Sequence, residues 1–94
     1  MSVAQQRAYR FLSSQVDTCV ASPPNEQDNV LFVLLDQHSP RSGEAGTEVC
    51  KFLINRSGFV MTASFEPGYE GEFNAIFDEY IHQVAILHPT DYHQ

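Results

Sequence analysis

Six consecutive apolar residues, Val30-Leu31-Phe32-Val33-Leu34-Leu35, constrain this chain more than any other stretch. The run is far below the roughly 18 residues of a membrane span and too short for a buried helix of its own. Set between Asn29 and Asp36, it reads as a strand with apolar side chains on both faces. A core can take one of those faces. The other must turn away from it, and something must be found to cover it.

The segments around the run supply the core. Ser2 is a good N-cap, and Gln5 stands where a capping box wants Glu or Gln. Ala4, Ala8, Phe11, Leu12, Val16, Cys19 and Val20 then recur at helical spacing until Pro23-Pro24, which predicts one amphipathic helix up to about Val20. Asn25–Asp28 reads as a loop. After the run, Gln37–Gly46 is a long connection of turn formers and charges. Thr47–Ile54 is a second strand, with Cys50, Phe52 and Ile54 on one side and Val49, Lys51 and Leu53 on the other. The turn Asn55-Arg56-Ser57-Gly58 leads into a third strand, Phe59–Phe65, with Phe59, Met61, Ala63 and Phe65 inward. Glu66-Pro67-Gly68-Tyr69 breaks the sheet. Phe73, Ile76, Phe77, Tyr80, Ile81, Val84 and His88 then follow helical periodicity closely, and Pro89 ends the helix.

The expected fold is a single α+β domain over 1–94: helix, three-stranded antiparallel sheet, helix, with both helices on one sheet face and 89–94 as a loose tail. In a simple meander the Val30–Leu35 strand lies at an edge. The same order of elements occurs in double-stranded-RNA-binding domains. Those present a basic cluster where this chain has Glu70 and Glu72, so that function does not carry over.

Charge narrows the partners. Twelve acidic residues against five basic give a formal charge of −7. One lysine and four scattered arginines supply neither the phosphate neutralisation that nucleic acid demands nor attraction to an anionic membrane. A basic protein surface is the complementary partner. The N-terminus lacks the pattern of a secretory signal, so a reducing, cytoplasmic setting is expected, with Cys19 and Cys50 as buried, unpaired thiols.

No motif carries recognisable chemistry. Asp78 and His82 are one helical turn apart, a spacing that can hold a metal, but two ligands make no site, and neither a metal nor a cofactor is expected. Ser13, Ser14 and Ser57 lack a nucleophile context, and Gly68-Tyr69-Glu70-Gly71 lacks the lysine and spacing of a phosphate loop. The expected function is therefore that of a small acidic protein-binding domain without enzymatic activity, in the class of inhibitors, immunity-type antagonists and regulatory subunits. Its partner or homodimer interface is expected at Leu31, Val33, Leu35, Val49, Leu53 and Val60. Its acidic patch comprises Glu66, Glu70, Glu72, Asp78 and Glu79. The alternative is a small-molecule sensor or enzyme whose pocket, between sheet and helices, uses Tyr69, Tyr80, His82 and His88.

Overall fold

The computed structural model of the chain describes residues 1–36 and 46–84. The elements run α1 (Val3–Gln15), β1 (Thr18–Ala21), β2 (Val30–Asp36), β3 (Thr47–Ile54), β4 (Val60–Phe65) and α2 (Glu70–Gln83). Most of the expected Gln37–Gly46 connection, His88 and the 89–94 tail lie outside the described residues.

The sheet has four antiparallel strands in the order β1-β2-β3-β4, which corrects the expected three. The extra strand comes from the expected first helix. That helix has a complete capping box, with Gln5 N–H donating to the Ser2 hydroxyl and the Gln5 side chain accepting from Ser2 N–H. It stops at Gln15, after Ser13 and Ser14 have turned their hydroxyls back onto the Tyr9 and Phe11 carbonyls, each at 2.6 Å. Beyond it Thr18 and Val20 face one way and Cys19 the other, and the segment pairs with β2 in the register Cys19↔Leu34 and Val20↔Val33. Cys19 and Val20 fit a helical stripe and a strand alternation equally well, and pairing with the apolar run decides between them.

This strand makes β2 interior, not an edge, so both of its backbone sides are paired. Its inward residues Val30, Phe32 and Leu34 are fully buried, together with Cys50, Phe52 and Ile54 of β3. Both helices lie on that face. Tyr9 of α1 tilts against Phe32, Phe73 of α2 stacks on Phe52 at 5.5 Å between ring centres, and Phe11 meets Tyr80 between the helices.

Two irregularities move residues across the sheet. Between Leu34 and Leu35 the partner on β3 jumps from Cys50 to Glu48, leaving Val49 as the extra residue. Between Leu53 and Ile54 the partner on β4 jumps from Thr62 to Val60, leaving Met61 as the extra residue. A bulge adds one residue to one strand and so reverses the side on which later residues point. Val49 is therefore in the core and Val60 packs against it, whereas both were expected on the opposite face. Met61, expected inward, is 53% exposed.

At one end of the sheet two hairpin turns are built alike. Asn25 Oδ1 accepts from Gln27 and Asn29 N–H, with Asp28 in a left-handed conformation at φ 63°. Asn55 Oδ1 accepts from Ser57 and Phe59 N–H, with Gly58 at φ 95°. A Cβ on Gly58 would also meet Ala4 Cβ at 3.2 Å, so helix packing favours glycine there as well. The N-terminus of α1 bridges the two turns. Gln5 is buried, and its Nε2 donates to the Asp28 carbonyl at 2.6 Å and the Ile54 carbonyl at 3.2 Å. Ser2 donates to the Arg56 carbonyl, and the buried Tyr80 hydroxyl of α2 donates to the Gly58 carbonyl.

Gln5→Ala should lower the unfolding free energy by about 2–3 kcal/mol, because it leaves the buried Ile54 carbonyl and the part-buried Asp28 carbonyl without this donor. Gln6→Ala, on the exposed side of the same turn, should stay within about 0.5 kcal/mol of the parent. Equal effects in denaturant titrations would contradict the bridging role.

Candidate functional site

With both helices on one side, the second face of the sheet carries no described element. The strand registers arrange its side chains in rows. Val20, Val33, Lys51 and Ser64 form one row across all four strands; Leu31, Leu53 and Thr62 form the next; Thr18, Leu35 and Glu48 form a third. Val20 is half exposed, and Leu31, Val33, Leu35 and Leu53 are partly so. Their apolar group occupies the β1–β3 side of the face, and Thr62 and Ser64 make the β4 side polar. Lys51 Nζ lies 3.7 Å from Glu48 Oε2 on the same face, an exposed pair that contributes little to stability. A hollow of about 260 Å³ opens among Leu31, Lys51, Leu53, Thr62 and Ser64.

Four of the six expected interface residues, Leu31, Val33, Leu35 and Leu53, thus share this open face. The bulges place Val49 and Val60 on the helix side instead. Val20, assigned to a helix from the sequence, joins the face. Alternation within Thr18–Ala21 was the available signal, and helical spacing masked it.

The acidic residues fall into two groups. Glu66 and Glu70 are exposed around the start of α2, and Glu72 follows them within its first turn, where the helix dipole favours carboxylates. Asp78 lies about 12 Å along the axis from Glu70, and Glu79 is beside it. Each of these last two has a local partner. His82 Nδ1 is 2.7 Å from the Asp78 carbonyl and 3.5 Å from its carboxylate, and Glu79 accepts a hydrogen bond from Gln83. The contact with the carbonyl, and then the nearby carboxylate, raises the His82 pKa. Nδ1 is the donor in that contact, so this nitrogen is not presented to a metal. Among the described residues no group of three His, Cys, Asp or Glu side chains has metal-binding geometry.

The described residues of the expected pocket, Tyr69, Tyr80 and His82, do not converge. Tyr80 is buried against Gly58 at the hairpin end, and His82 stands exposed on α2. Tyr69 lies at the opposite end of the sheet, in a cleft of about 340 Å³ between the end of α1 and the start of α2. Asp17, Asp36 and Glu72 line that cleft together with Val49 and Ile76. Asp17 and Asp36 are far apart in the chain and are brought there by strand pairing, which no local pattern reveals.

Both cysteines are buried and unpaired. Burial raises the Cys19 thiol pKa to about 11 and that of Cys50 to about 12, the neighbouring Cys19 and Glu48 adding to the latter. They sit on either side of Leu34. Two strand spacings, about 9–10 Å, separate them, more than a disulfide spans.

No family model, curated protein or solved structure matches this chain.

The native protein should leave both thiols essentially unlabelled by Ellman's reagent at pH 8 over several minutes, and both should react once it is unfolded. Immediate labelling of either thiol in the native state would contradict its burial.

Proposed function

We propose that this chain is a small acidic protein-binding domain that receives a partner polypeptide on the open face of its sheet. One observation carries the reading: Val20, Leu31, Val33, Leu35 and Leu53 form an apolar group on a face that no described element covers. Exposed apolar groups of this kind with a polar border mark interaction surfaces. The formal charge of −7 favours a partner with a basic rim, which the surrounding field would draw in and orient. An inhibitor, an immunity-type antagonist or a regulatory subunit would work in this way, by occupying a surface and performing no chemistry.

A second reading, a sensor of a small cationic molecule, is favoured by the cleft that Asp17, Asp36, Tyr69 and Glu72 line together. Saturable thermal stabilisation by a polyamine such as spermidine would support it.

For the first reading, the decisive variants are Val33→Glu and Leu53→Glu. A stoichiometric partner isolated with the parent protein should bind each variant at least about tenfold more weakly, as a carboxylate becomes buried in an apolar contact. Raised salt should slow its association. Melting temperatures should stay within a few degrees of the parent, because both positions lie outside the core. Unchanged affinity in both variants would overturn the assignment of this face.

A further inference from the structure

We draw no further inference here: the strongest candidate, the cleft between the end of α1 and the start of α2 that Asp17, Asp36, Tyr69 and Glu72 line, carries nothing beyond the second reading above, because no other feature of the described residues points to a ligand for its carboxylates.

Discussion

The side-chain amide of Gln5 is the polar group on which the arrangement of helices and sheet depends. It is buried, at 1% exposure, and each of its hydrogen-bonding atoms is used. Its oxygen accepts from Ser2 N–H at 2.9 Å, closing the first turn of α1. Its nitrogen donates to Asp28 in one hairpin and to Ile54 at the root of the other. A buried amide with unmet partners is costly, so this set of three fixes where α1 can begin. Tyr80 does the same for α2 by donating to Gly58. Both helices are therefore held to the hairpin end of the sheet, on the same face.

That one-sided layering has a consequence on the other face. β2 is apolar on both sides, and the helices take only Val30, Phe32 and Leu34 into the core. Leu31, Val33 and Leu35 are left facing outward with Leu53 and Val20, and the proposed docking surface follows from the layering itself. The bulges at Val49 and Met61 refine it by withdrawing two valines, Val49 and Val60, into the helix side. The open face is accordingly less apolar than strict alternation would make it, with Lys51, Thr62 and Ser64 along its β3–β4 side.

Where a local pattern was unambiguous, the sequence led to the structure. The capping box at Ser2 and Gln5, the turn at Asn55–Gly58, the two long strands and the stripe on α2 needed only neighbours in the chain. Legibility ended where distant pairing chose between local options. Val16, Cys19 and Val20 satisfy a helix period, but Thr18–Ala21 becomes a strand because β2 offers it an edge. The bulges were hidden for a similar reason, since alternation continues correctly on each side of them and only the offset between partners shows the extra residue. Gln5 was visible as a cap, while its burial depends on carbonyls 23 and 49 residues away. The candidate face was two-thirds legible for the same reasons: Leu31, Val33, Leu35 and Leu53 lie on regular strand segments, and Val49 and Val60 do not.

The dependence on a neutral donor at position 5 can be tested with Gln5→Glu, which keeps the shape of the side chain and replaces the donating nitrogen with an acceptor. An ionised carboxylate there would be buried and would face the Asp28 and Ile54 carbonyls, so its folded-state pKa would rise above the ordinary value of about 4.3. A group with a raised folded-state pKa stabilises the protein at low pH and loses that contribution as the pH climbs through it. The deciding measurement is the melting temperature of Gln5→Glu relative to the parent between pH 8 and pH 5.5. The variant should melt well below the parent at pH 8, and the gap should narrow steadily as the pH falls and the carboxyl regains a proton to donate. A gap that stays constant across this range, or widens toward low pH, would contradict the claim that a buried donor at Gln5 holds the fold together.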